Sequence, residues 1–105
     1  MSKKDQYKFR EVFKHYKKGK WIYPGALYRV TKIKIDQIYM ILNILEKNKI
    51  LDSYFEIYCA ECKKTVGLVY KTIDDIPAEY ECDNCGNVEK AIDNAVLIFK
   101  VIADE

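Results

Sequence analysis

A chain of 105 residues, half of them apolar and 32% charged, has the length of one domain or of two very small ones, and its composition is that of a soluble globular protein rather than a disordered one. No apolar run reaches the roughly 18 residues that cross a bilayer, and the opening Met1-Ser2-Lys3-Lys4-Asp5 is too charged for a signal peptide. The expectation is a complete small cytoplasmic protein with no membrane contact. The net charge of +2 conceals a division, with 13 lysines and arginines against 5 carboxylates in residues 1–53 and 5 against 11 in residues 54–105. The halves therefore carry +8 and −6, and the basic one is the candidate for a polyanionic partner.

Residues 5–18 place Phe9, Val12, Phe13 and Tyr16 at helical spacing, with Lys8, Lys14, Lys17 and Lys18 elsewhere, and Gly19 is a natural stop. A short apolar link, Trp21-Ile22-Tyr23, follows. Pro24 suits the first turn of a second helix, for which Ala26, Leu27 and Val30 supply a buried side. That helix is brief, because Thr31-Lys32-Ile33-Lys34-Ile35 turns β-branched. A third helix is expected from about Asp36 to Asn48, with Ile38, Ile41, Leu42 and Leu45 forming its core stripe. Two extended pieces come next, with a turn expected at Asp52-Ser53.

Helix, short helix, turn, longer helix and β-hairpin is an order that resembles a winged helix-turn-helix, with residues 30–58 as its turn, recognition helix and wing. The resemblance implies that the third helix enters a DNA major groove. Asp36, Met40, Asn43 and Lys47 face outward there, flanked by Gln37, Tyr39 and Ile44. Asn43 and Gln37 suit adenine edges, but no arginine is present to grip guanine. Lysines surround the helix instead, at Lys32, Lys34, Lys47 and Lys49, with Lys14, Lys17, Lys18 and Lys20 on or after the first helix. This distribution favours phosphate contacts over base readout. Met40, Tyr39 and Ile44 fit a protein-contact face equally well.

All four cysteines stand in the acidic half, as Cys59-Ala60-Glu61-Cys62 and Cys82-Asp83-Asn84-Cys85, with 19 residues between the pairs. Two residues between cysteines let a tight turn aim both sulfurs at one ion, and two such knuckles complete a tetrahedron. One structural zinc ion held by Cys59, Cys62, Cys82 and Cys85 is the expectation. A redox pair or disulfides fit less well, since neither pair lies in a strand-to-helix unit and the spacing is that of a metal site. Gly86 supports the second knuckle by tolerating positive φ, where the first has Lys63. Strands are expected at residues 65–71 and 94–102, and residues 76–81 read as a turn followed by a strand into Cys82. Together these resemble a zinc ribbon, a small antiparallel sheet pinned by two knuckles.

The fold class expected is α+β, with a winged helix of three helices and a hairpin wing over residues 1–57 continuing into a four-cysteine zinc ribbon over residues 58–105. In module order this resembles the N-terminal part of the large subunit of general transcription factor IIE and its archaeal counterpart, which implies duplex DNA and a larger protein assembly as partners. The location is then cytoplasmic or nucleoid-associated. No nucleophile with a paired base, no glycine-rich phosphate loop and no metal-carboxylate cluster stands in the sequence, and His15 is read as a surface residue. Neither catalysis nor a small-molecule substrate is expected. Two functions remain, a DNA-associated regulator and a protein-binding adaptor subunit without nucleic-acid binding, for which nine tyrosines and Trp21 supply contact surface.

Overall fold

Ser2 begins the first helix by accepting a hydrogen bond on its Oγ from the Asp5 N–H at 3.1 Å, and the computed structural model describes residues 2–103. The elements in chain order are α1 (Lys3–Phe13), β1 (Trp21–Ile22), α2 (Pro24–Thr31), α3 (Ile35–Lys47), β2 (Leu51–Cys59), β3 (Lys64–Tyr70), β4 (Glu79–Glu81), β5 (Val88–Lys90) and β6 (Ala95–Val101). Single 3-10 turns lie at Ile73–Asp75 and Ile92–Asn94. Three helices with antiparallel strands make the fold α+β. Among the described residues no helix is long and apolar enough to cross a membrane.

Contacts divide the chain into two units. One holds the described residues up to Ser53 together with those from Ile98 on, and the other is Tyr54–Leu97. In the first unit, α1 ends at Phe13 and not near Lys18, because the following residues are drawn elsewhere. Gly19, at φ +92°, donates its N–H to the Val101 carbonyl at 2.7 Å, and Val101 donates back to Lys20 at 3.0 Å. The expected apolar link is thereby a strand, β1, with Trp21 opposite Lys100 and Ile22 opposite Phe99. On α2 the buried positions are Pro24, Leu27 and Thr31, while Val30, expected inside, is 68% exposed. Thr31 is tolerated there because its hydroxyl donates to the Leu27 carbonyl at 2.7 Å and accepts from the Ile33 N–H at 3.2 Å.

The core stripe of α3 is built on Ile38 and Leu42, both fully buried, with Ile41 and Leu45 half-buried beside them. Its C-terminus closes in a Schellman arrangement, in which the Lys49 N–H bonds Glu46 and the Ile50 N–H bonds Leu45, both at 3.0 Å. Lys49 takes the left-handed position, at φ +62°. The chain has thus reversed before Asp52-Ser53, and the turn expected at those residues does not form. β2 is one continuous strand of nine residues, and Ser53 spends its hydroxyl on the Glu46 carboxylate of α3.

Strand order is β1-β6-β2-β3 in one sheet and β4-β5 in another. In the second unit β2 and β3 form an antiparallel pair from Phe55↔Tyr70 to Cys59↔Lys64, with a register shift between Glu56 and Tyr58, across which Gly67 of β3 adopts φ +85°. The strand β5 and its pairing with β4 were not expected from the sequence. The second unit ends at Leu97, earlier than the expected ribbon, because the end of β6 pairs with β1 and Ile102 donates to the Ile50 carbonyl at 2.9 Å.

Two substitutions test the first unit. Lys49→Gly should stabilise the protein by roughly 0.5–1 kcal/mol, the left-handed cost of a β-carbon less the added chain entropy of glycine. Leu42→Ala should cost about 2–5 kcal/mol as a cavity in a fully buried site. Urea unfolding curves measure both.

Candidate metal centre

Each pair of cysteines is carried by the same local turn. At the end of β2 the Lys63 N–H bonds the Cys59 carbonyl at 2.7 Å, and after β4 the Gly86 N–H bonds the Cys82 carbonyl at 2.7 Å. Both closing residues are left-handed, Lys63 at φ +56° and Gly86 at φ +73°. Lysine in the first knuckle thus adopts the backbone that glycine adopts in the second. The Cys62 N–H points at Cys59 Sγ at 3.5 Å, and Asn84 Nδ2 donates to Cys62 Sγ at 3.2 Å.

The four Sγ atoms lie within 4.8 Å of one another. Across the knuckles, Cys59 to Cys85 measures 3.6 Å and Cys62 to Cys82 3.7 Å. These distances are too long for a disulfide. A tetrahedron of thiolates bound at roughly 2.3 Å has edges of about 3.8 Å, so the cross-knuckle spacings match the coordination shell of one ion. The four cysteines are therefore placed to hold a metal ion. Cys59 and Cys82 are buried, Cys62 is half-buried and Cys85 is exposed.

Electrostatics make the same point. N–H groups of Cys85 and then Asn84 directed at Cys82 lower its thiol to about 7, outweighing burial. At Cys85 the Asn87 N–H favours the thiolate, yet burial and the sulfurs of Cys62, Cys59 and Cys82 push the thiol up to about 12. One thiolate in this cluster suppresses the next, and a cation at the centre removes that conflict.

The cluster is continuous with the core of its unit, where Ile57, Tyr80 and Ala91 are buried beside Cys59 and Cys82. Burial, and then the Glu89 carboxylate, raise the Tyr80 phenol to about 12. Its hydroxyl lies 3.0 Å from the Tyr58 carbonyl and 3.2 Å from Glu89, which also accepts from Asn87 Nδ2 at 2.8 Å. Tyr80 and Asn84 were not singled out from sequence. Asn84 had a usable signal in its place inside C-x-x-C, whereas Tyr80 shows its role only through strand pairing.

The residues expected to meet DNA all lie on α3 and its flanking turns. Lys32 closes α2 at φ +62°, Lys34 is the residue before α3, Asn43 and Lys47 are exposed on α3, and Lys49 follows it. Gln37 is half-buried, its N–H bonded to Asp36 Oδ1 at 2.9 Å.

Titration of metal-free protein with Co²⁺ should give thiolate-to-metal absorption that saturates at one equivalent per chain, and Cys82→Ser should weaken it sharply. Gly86→Ala should lower the melting temperature of the metal-loaded protein, while Lys63→Gly should raise it. No family model, curated protein or solved structure matches the chain, so its function rests on its own geometry.

Proposed function

We propose that the chain is a small DNA-associated factor, a regulator or a subunit of a nucleic-acid machine. In this reading α2 and α3 form a helix-turn-helix, and the cysteine unit is a zinc-ribbon-like module held by one structural zinc. The observation that carries it is the segment from α2 to α3. Three residues, Lys32, Ile33 and Lys34, join the helices, a length typical of that motif, and Ile33 is 1% exposed, so the turn is anchored by its own apolar side chain. Lys32 and Lys34 stand at one end of α3 and Lys47 and Lys49 at the other. Thirteen residues at 1.5 Å each separate the pairs by roughly 20 Å, enough to reach phosphates on both sides of a major groove about 12 Å wide. With Asn43 and Gln37 as the groove-facing polar groups, affinity comes chiefly from phosphate contacts.

A second reading is favoured by one specific observation. Met40 and Ile44, one turn apart on the outer face of α3, are 62% and 52% exposed. An adaptor that lays this face on a larger protein would use them directly.

Fluorescence anisotropy with a labelled duplex at two salt concentrations separates the readings. Binding should weaken steeply with salt, and Lys47→Glu with Lys49→Glu should flatten the slope by roughly two, about one per lost phosphate contact. Absence of duplex binding at low salt, together with co-purification of a stoichiometric protein partner, would favour the adaptor. For the metal, elemental analysis of the purified protein should give about one zinc per chain. Iron with visible absorption would overturn the zinc assignment.

A further inference from the structure

A cleft of about 540 Å³ opens in the first unit where α1 ends, lined by Phe13, Lys14, Tyr16, Lys17, Lys18, Val101 and Ala103. Its volume lies in the range of small-ligand sites. Its lining pairs two kinds of surface. Residues 14–20 contain four lysines and no carboxylate, and they outnumber Asp104 and Glu105, the two acids that follow Ala103 in the sequence. Lys14 also meets Glu11 at 2.6 Å, an exposed pair that solvent screens and that leaves the ammonium able to exchange partners.

The second kind of surface is aromatic and apolar. Phe9 and Phe13 on α1 and Tyr16 just beyond its end form a ladder, with ring centroids 5.6 Å and then 6.3 Å apart and interplanar angles of 15° and 25°. Phe13 is buried and Tyr16 half-buried, so the outermost ring is propped from beneath by a packed one. Val101, 3% exposed, supplies an apolar neighbour from β6. The loop that carries the lysines is tied down. The Tyr16 N–H bonds the Phe13 carbonyl at 2.9 Å, Lys20 bonds Lys17 at 2.9 Å, and Gly19 and Lys20 are bonded to Val101.

We propose that this cleft binds a single nucleotide unit, its planar base against Tyr16 and its phosphates on Lys14 and Lys17. Ammonium groups alone would hold any phosphate, and an aromatic ring alone any apolar plate. A supported ring beside these cations selects a ligand with both parts, as in sites that stack unpaired bases within a basic groove. A paired base inside a duplex has its faces covered by its neighbours, so the site requires a free nucleotide or an unpaired position in a strand. The proposal is independent of duplex binding by α3, since it uses none of the same residues.

Two-dimensional amide NMR of the metal-loaded full chain, titrated separately with ADP, a six-residue oligothymidylate and inorganic phosphate, tests it. ADP or the oligonucleotide should shift amides of residues 14–20 and 101–103, and which of them saturates at lower concentration identifies the source. Lys14→Glu with Lys17→Glu should weaken binding at least tenfold, and Tyr16→Leu at least fivefold, whereas Tyr16→Phe should retain it. Lys47→Glu with Lys49→Glu should leave it unchanged. The proposal is overturned if neither nucleotide probe shifts these amides, if inorganic phosphate binds as tightly as ADP, or if Tyr16→Leu, with its α1 and β6 amides otherwise in place, binds as the parent does.

Discussion

Four sulfurs within 4.8 Å of one another cannot all be thiolates unless something positive lies among them. The core of Tyr54–Leu97 is built around these sulfurs. The unit has few fully buried side chains, and two of its five buried core residues are themselves cysteines. Its strands are short: β4 and β5 have three residues each, and β3 is mostly exposed along its length. A segment of this kind buries little apolar surface to offset the conformational entropy of ordering it, and an ion bound by the four cysteines would supply folding free energy. Cys59 and Cys82 are thus candidate ligands and core residues at once.

The first unit is stabilised in the ordinary way, by helices closing on fully buried Ile22, Leu27, Ile38, Leu42 and Phe99. One of these, Phe99, comes from the far end of the sequence. Bringing β6 back to β1 and to Ile50 makes the cysteine unit an insertion between two strands and not an appended tail. An insertion has both its ends set by the host, whereas a tail has one. The loop between α1 and β1 depends on the same return, since Gly19 and Lys20 are bonded to Val101.

Structure is legible in the sequence where local physics governs. The C-x-x-C spacing specifies a turn within five residues, and its outcome, sulfurs converging in pairs, needed only the second knuckle to be near. The apolar spacing of Ile38, Ile41, Leu42 and Leu45 located α3 to within a residue or so at each end. What escaped depended on distant pairing. The early end of α1 and the strand character of Trp21–Ile22 are both consequences of Val101, some eighty residues away. The turn expected at Asp52-Ser53 failed for a different reason. Lysine occupies left-handed positions at Lys32, Lys49 and Lys63, where glycine or asparagine would have announced a turn. The reversal at Lys49 was hidden by its residue type, and Asp52-Ser53 looked like the nearest substitute.

The dependence of Tyr54–Leu97 on a bound ion is tested most directly by hydrogen exchange of its backbone amides, read by mass spectrometry before and after chelation, with metal content measured on the same samples. Loss of protection throughout β3, β4 and β5 on metal removal is the expected result. Protection retained across these strands in protein shown to be metal-free would contradict it.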